Sequence, residues 1–420
     1  MIRVRNLALA SAVALGLLSG AATLAPVADV HAAESGKSAN KITTRAVAEP
    51  MKKAQEAIAA KQWDTAAAEI KKAQAVEKKT PFEAYQIDEF LGYVLIQQKK
   101  YAEAAPVYER TLNSGFLPEA QSDERTKTLA TLYFQNKDYK KAIEFARKSL
   151  ERKPGQEDMG QMVAQSYYLL NDFPNAAQAM SKVIDGAKKA GKTPEENWLQ
   201  IVLSSHFKAD NKDGIAAALK DIVRYYPNAE YWENLLDIYR RKTNDDRVIL
   251  GYYRLMDDVG ALKDKGDIVE MAQLAMDAGV PGEAENVVER NIKSGTLKSD
   301  DKTEQGRFDR LLSGAKKQAA ADRASLDQLA KEAEKSSQGQ ADVALGHAYL
   351  SYGQYDQAIA ALERGMKKGG VLDMDEAQVL LGIAHLKKGQ KDQARQAFNA
   401  IKDGSKWNDL SDLWLIRTHA

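Results

Sequence analysis

The sequence predicts an all-α chain, a solenoid of stacked helical hairpins, and two observations carry that prediction. Gly or Ala recurs twelve positions before an alanine at Ala54/Ala66, Gly92/Ala104, Ala130/Ala142, Ala164/Ala176, Ala272/Ala284, Gly346/Ala358 and Gly382/Ala394. Consecutive pairs step by 34 to 38 residues. The two longer steps, 108 and 74 residues, are close to three and two such periods, so three degenerate units are expected inside them. Self-similarity at this period marks stacked supersecondary units rather than one globular core. The second observation is that no stretch alternates apolar and polar residues between Asn-Gly or Asp-Gly turns, so no sheet is expected.

In chain order, residues 1–33 are set apart from the repeats. Arg3 and Arg5 precede an uncharged apolar run from Leu7 to Leu18, and small residues follow through Val30-His31-Ala32-Ala33. This reads as a secretory signal peptide, cut after Ala32 or Ala33. The apolar run is too short for a membrane anchor, which takes about 18 residues or more. The chain has no cysteine, which removes a lipobox, disulfides, Cys nucleophiles and thiolate metal sites together. Export, an Ala-rich signal and no disulfides point to a bacterial periplasm, with no integral membrane segment once the signal is gone. Loss of Arg3, Arg5 and Asp29 brings the 60 basic and 59 acidic residues to equality. Such balance argues against nucleic acid or an anionic membrane surface as the main partner. Residues 34–48 are polar and patternless, a flexible leader.

Residues 49–294 form the first expected block of repeats. One unit runs Phe90-Leu91-Gly92-Tyr93-Val94-Leu95, breaks at Gln97-Gln98-Lys99-Lys100, and resumes at Tyr101-Ala102-Glu103-Ala104-Ala105 through Leu112. Apolar residues at helical spacing on both sides of a short polar connector define a helical hairpin. Small residues belong where the helices cross, and Leu91, Leu95, Tyr108 and Leu112 fill the space around that crossing. The same grammar returns from Leu129 to Leu150, closing at Pro154. Thr80-Pro81-Phe82-Glu83 and Thr193-Pro194-Glu195-Glu196 each read as an N-cap, a first-turn Pro and a capping-box Glu. A Gly- and charge-rich connection, 295–304, then separates a second block, 305–405, carrying Leu345, Gly346, Tyr349, Tyr355, Ala358 and Leu362. Residues 406–420 put Leu410, Leu413 and Trp414 on one helical face. They are expected to cap the solenoid against Phe398 and Ile401.

These units resemble the tetratricopeptide repeat (TPR): L-G-x-x-Y in the first helix, an aromatic and Ala in the second, then a closing Pro. Trp232, Leu235 and Tyr239 match the opening W-x-x-L-x-x-x-Y, and the resemblance covers residues 49 to 405. It implies a right-handed superhelix of about ten units, with weak units at 240–265 and 305–335. It also implies a concave groove lined by each first helix. Groove positions then fall at Tyr93, Ile96 and Gln97, at Lys127, Thr131, Phe134 and Gln135, and at Gln161, Gln165 and Tyr168. Ser204, Phe207, Asp237, Arg240 and His347 follow. Rings and amides in a row suit an extended peptide. The plainer reading is that these side chains cover neighbouring helices. Recognition of an acidic C-terminus requires Lys and Asn at matched positions, and Lys127 is followed by Thr131 instead. The Ala-rich start and Trp-containing tail resemble exported periplasmic TPR proteins associated with TonB-type energy-transduction systems. The implied function is a non-enzymatic adaptor for a protein or peptide segment, with an envelope-assembly or cell-wall scaffold as the alternative.

No cofactor, metal or catalytic residue is expected. Gly186-Ala-Lys-Lys-Ala-Gly191-Lys192-Thr193 fits the letters of a P-loop, but that loop needs a buried strand before it. Here Ala176 to Ile184 reads as an amphipathic helix, so an inter-repeat linker is the better reading of Lys192, with nucleotide binding the remote alternative. His206, His347, His385 and His419 lack an H-E-x-x-H context, and His385 sits where Tyr fills the core of other units. No G-x-S-x-G elbow exists, and the mixed carboxylates, lysines and arginines read as solvated helix faces.

Overall fold

All fourteen paired small residues are buried in the computed structural model, which describes residues 41–419. Three glycines show why. A Cβ on Gly92 would stand 2.2 Å from the Tyr108 ring, one on Gly346 2.6 Å from Leu362, and one on Gly382 2.4 Å from the Phe398 ring. A large side chain of the second helix therefore occupies the place a first-helix Cβ would take. The expected signal peptide lies outside the described residues, and the first helix opens at Arg45, inside the expected leader, with Val47 fully buried.

Eight hairpins follow: α1 (Arg45–Ala59) with α2 (Trp63–Gln74), α3 (Pro81–Gln97) with α4 (Tyr101–Leu112), α5 (Glu119–Gln135) with α6 (Tyr139–Arg152), α7 (Glu157–Leu169) with α8 (Phe173–Lys189), α11 (Ala229–Arg240) with α12 (Asp246–Asp258), α13 (Lys265–Asp277) with α14 (Pro281–Lys293), α16 (Gln340–Ser351) with α17 (Tyr355–Lys368), and α18 (Met374–Lys387) with α19 (Lys391–Asn399). Helix α9 (Glu196–Lys208) turns into α10 (Lys212–Tyr225). The described residues form two compact units that divide at 215/216, inside α10. The 295–304 stretch lies within the second unit, where Leu297 is buried and its N–H donates to the Asn291 carbonyl.

One turn chemistry serves nearly every pair. The second residue after the first helix takes a left-handed φ at Lys61, Lys99, Lys137, Asn171 and Asp210, and at Gly279, Gly353 and Gly389. The next N–H reaches back five residues, as Lys100 does to the Leu95 carbonyl and Gln354 to that of Tyr349. This bond satisfies a carbonyl that the helix end leaves open. The α11/α12 connection lacks it, and there Asp245 caps α12 with its side chain instead. That difference is the physical content of the weak unit at 240–265.

The weak unit at 305–335 is no hairpin. It is one 34-residue helix, α15 (Lys302–Lys335). Where a turn was due, Lys316 to Ala324 holds no Gly, Pro or Asn to break the helix. One helix in place of two exchanges the roles of the hairpin members. In the first unit odd helices touch odd ones, α1 with α3 and α5 with α7; in the second, α14 meets α16 and α16 meets α18. Helix starts also divide. Thr80 and Glu83 form the expected capping box. Thr193 caps nothing, because Pro194 is buried outside the helix and α9 begins on the Glu195 carbonyl.

Helix α20 (Asn408–His419) stacks Trp414 on Phe398, with ring centroids 5.9 Å apart. It also packs on α12, where Leu410 fills the notch left by Gly251. Charges fasten it further: Arg417 to Asp258 at 2.7 Å, Lys406 to Asp245 at 2.8 Å and Asp412 to Lys220 at 3.3 Å. The tail thus joins the end of the second unit to its beginning.

Candidate functional site

In the first unit the predicted groove residues lie along α3, α5, α7 and α9. Their rings are anchored near the hairpin turns. Tyr93 meets Trp63 edge to face at 6.1 Å, Phe134 meets Tyr139 at 5.6 Å, and Tyr168 meets Phe173 at 5.4 Å. Each pair joins a first helix to the second helix of a hairpin, so these rings are held in place as well as partly exposed. Tyr168 and Ser204 come together through a 2.7 Å hydrogen bond between hydroxyls, which links α7 to α9. Thr131 donates its hydroxyl to the Lys127 carbonyl at 3.1 Å. Ile96 packs against the core.

The amides differ. Gln97 and Gln135 are exposed, and Gln161 and Gln165 are half-buried one turn apart on α7. None of the four makes a side-chain hydrogen bond among the described residues. Phe207, one turn beyond Ser204 on α9, stays 42% exposed, and Leu170, just past the end of α7, stays 37% exposed. Leu170 was missed in the sequence because it closes α7 at a position where apolar residues usually turn inward. The predicted positions therefore offer free amide donors and acceptors together with the exposed ring of Phe207.

The remaining predicted positions are elsewhere. Asp237 and Arg240 belong to the second unit and bond each other at 3.0 Å, while Arg240 donates to the Tyr253 hydroxyl at 2.6 Å. Asp267 joins this network, and its burial raises its carboxyl pKa against the pull of Arg240. His347 meets Arg254, whose side chain is only 9% exposed and forks onto Glu283 at 2.7 Å. Burial first, then the charges of Arg254 and Arg247, push His347 well below its ordinary pKa, so a neutral ring accepts the Arg254 N–H. Mixed charges read as solvated surface are here an interior lattice joining α12 to α14, α16, α18 and α20.

His385 fills the core position expected of it, buried and bonded to Gln390 at 2.7 Å. The P-loop-like letters fall on the last turns of α8 and the turn after it, and Lys192 pairs with Glu157 at 2.8 Å. Among the described residues no group of three His, Cys, Asp or Glu could hold a metal. Among them, too, no helix is long and apolar enough to cross a membrane.

Comparison with known proteins adds to this geometry. Residues 51–121 and 343–408 match the tetratricopeptide repeat family, and residues 97–183 match the family of anaphase-promoting complex, cyclosome, subunit 3. A search of curated proteins returns no match. A tetratricopeptide repeat protein from Parabacteroides merdae is similar at 13% identity, over 90% of this chain and 99% of that one, with a TM-score of 0.31. The TPR2AB domain of yeast Sti1, in its pHSP90 complex, is similar at 13% identity over 64% of this chain and 98% of that one, with a TM-score of 0.27. The matched repeats at both ends and the same buried crossings between them make the chain an all-α, TPR-like solenoid.

Proposed function

We propose that this protein is a non-enzymatic adaptor that holds an extended protein segment on the α3–α9 face of its first unit. The observation that carries the reading is the set of unpartnered amides, Gln97, Gln135, Gln161 and Gln165, with the exposed ring of Phe207 on α9. An extended peptide leaves its backbone N–H and C=O groups unpaired, and amide side chains bond both, while apolar side chains of the peptide cover the bare rings. The expected signal peptide supports a periplasmic setting, and the resemblance read from the sequence supports service to a TonB-type energy-transduction system.

Photo-crosslinking tests this directly. A benzophenone side chain at Phe207 should give a discrete partner band in cells, and Gln161→Ala together with Gln165→Ala should abolish it. A band obtained equally well from the outer helix position Lys148, or none from any position, would end the peptide reading. Recovery of TonB-system components in the band supports the narrower assignment, and their consistent absence removes it.

A further inference from the structure

A cleft of about 110 Å³ opens in the second unit, walled by α12, α14, α16, α18 and α20 with Met271 of α13 and Tyr355 of α17. Three cations line it, Arg254, Arg290 and Lys387, against two carboxylates, Asp257 and Glu283. Both carboxylates are already engaged, Glu283 by the Nε and Nη2 groups of Arg254 and Asp257 by one nitrogen of Arg290. Lys387 is engaged as well, by Asp258 at 2.7 Å. Among the described residues this leaves Nη1 of Arg254 and two nitrogens of Arg290 without an acceptor. The guanidinium of Arg254 cannot swing away, because Glu283 and His347 hold it from two sides.

A second observation points the same way. Trp414 also lines the cleft, it is fully buried, and its indole N–H has no hydrogen-bond partner. A buried N–H keeps its desolvation cost until an acceptor reaches it. The spare groups of the two guanidinium side chains and of the indole are donors, so their missing partner is an acceptor, while Asn286, Ser351 and Tyr355 add neutral polar groups to the wall. With their ion-pair partners included, four cations (Arg254, Arg290, Lys387 and Arg417) stand against three carboxylates (Asp257, Glu283 and Asp258), an excess that asks for a single negative charge. A planar pair of oxygens fits a guanidinium fork better than a point charge does. Met271, Val287, Leu350 and Ile383 supply an apolar part of the wall, beside those polar groups. One water needs roughly 10–15 Å³ of such space, so the cleft has room for a small organic group.

We propose that the second unit binds a carboxylate on a short apolar stem, its oxygens at Arg254, Arg290 and the Trp414 N–H and its stem along Val287, Leu350 and Ile383. The assignment stands on the second unit alone and is independent of the peptide reading of the first. A free short-chain acid or the C-terminus of a chain ending in an apolar residue supplies this chemistry.

Titration calorimetry on the purified protein tests it with butanoate and hexanoate against butanamide and hexanamide. A second arm uses a tripeptide ending in valine with free and with amidated C-terminus. The acids should bind and their amides should not, and the arm that responds identifies the source. Arg290→Gln removes donors at an exposed side chain, and Trp414→Phe removes the N–H while keeping a ring to stack on Phe398. Circular dichroism confirms that both stay folded. Loss of one charged hydrogen bond is expected to weaken binding roughly tenfold or more in Arg290→Gln, with a smaller loss in Trp414→Phe. Acids and amides binding alike, neither binding, or an affinity moved by neither substitution overturns the proposal.

Discussion

The two units use one crossing grammar and arrive at different surfaces. In the first, odd helices follow one another along a face that keeps free amides and exposed Phe207. In the second, α12 bonds to α14 through Arg254–Glu283, to α18 through Asp258–Lys387 and to α20 through Asp258–Arg417, and the face is consumed. Nothing in the small-residue pairs distinguishes them. The difference lies in what interrupts the repeat, namely α15, which exchanges the hairpin roles, and α20, which returns to α12. Repeats set the local geometry, and the irregular elements decide whether a surface is left over for a partner.

The largest test of that view is removal of Trp414. Its side chain is fully buried and stacked on Phe398. Trp414→Ala should cost about 3–5 kcal/mol, the range for truncating a buried aromatic. The loss should fall on the second unit, so a thermal melt followed by hydrogen exchange should show residues beyond 216 opening first. Uniform destabilisation of both units would mean that the terminal helix does not close the second one.

A smaller effect probes the first unit's crossings. Ala104 is fully buried against α3, whereas Lys100 is exposed. Ala104→Leu should overpack the hairpin at a cost of roughly 1–3 kcal/mol or more. Lys100→Ala should cost under about 0.5 kcal/mol. Equal melting temperatures for the two variants would contradict the register seen here.

These crossings were the most legible part of the chain, because a backbone contact admits Gly or Ala and little else. The polar network was least legible. Arg254, Glu283, His347 and Asp258 lie up to 93 residues apart where Arg254 meets His347, and no local spacing joins them. Asp342 is similar: fully buried and paired with Arg364 and Lys368, it reads in the sequence as one more helix-surface carboxylate. The amides were legible in the sequence only as positions. Their lack of partners needed coordinates, since Thr131 and Tyr168 on the same face turned out to be engaged. The long helix α15 was obscured because a period of about 36 predicts a hairpin, and only the missing turn residues argue otherwise.

Glu83 gives a third, chemical distinction. Burial raises its pKa, but the backbone N–H groups of Thr44, Thr80 and Thr43 and the Thr44 hydroxyl overcome this and hold it at about 2, against an ordinary 4.5. A depressed folded-state pKa contributes stability that is present above about pH 4.5 and is lost as the pH falls towards 2. Glu83→Gln should therefore cost about 1.5 kcal/mol at neutral pH and flatten the acid limb of the first unit's unfolding curve. An unchanged acid midpoint in the variant would show that Glu83 does not tie the start of α1 to α3.

The smallest effect compares the turns, where the units differ in residue but not in conformation. Lys99 has φ 59° and Gly353 has φ 71° at equivalent places between the helices of a hairpin. A left-handed backbone costs an ordinary L-residue roughly 1–2 kcal/mol and costs glycine little. Lys99→Gly gives back part of that strain but adds unfolded-state entropy, so a net gain of about 0.5 kcal/mol is expected. Gly353→Ala meets no neighbour, since the nearest atom to its Cβ would be the Tyr355 hydroxyl at 3.8 Å. Its cost is therefore conformational, about 1 kcal/mol. Opposite signs in paired denaturant titrations would show that the first unit tolerates strain that the second has removed. If both substitutions destabilise, the Lys99 side chain contributes something beyond its backbone, and the turns of the two units are not equivalent.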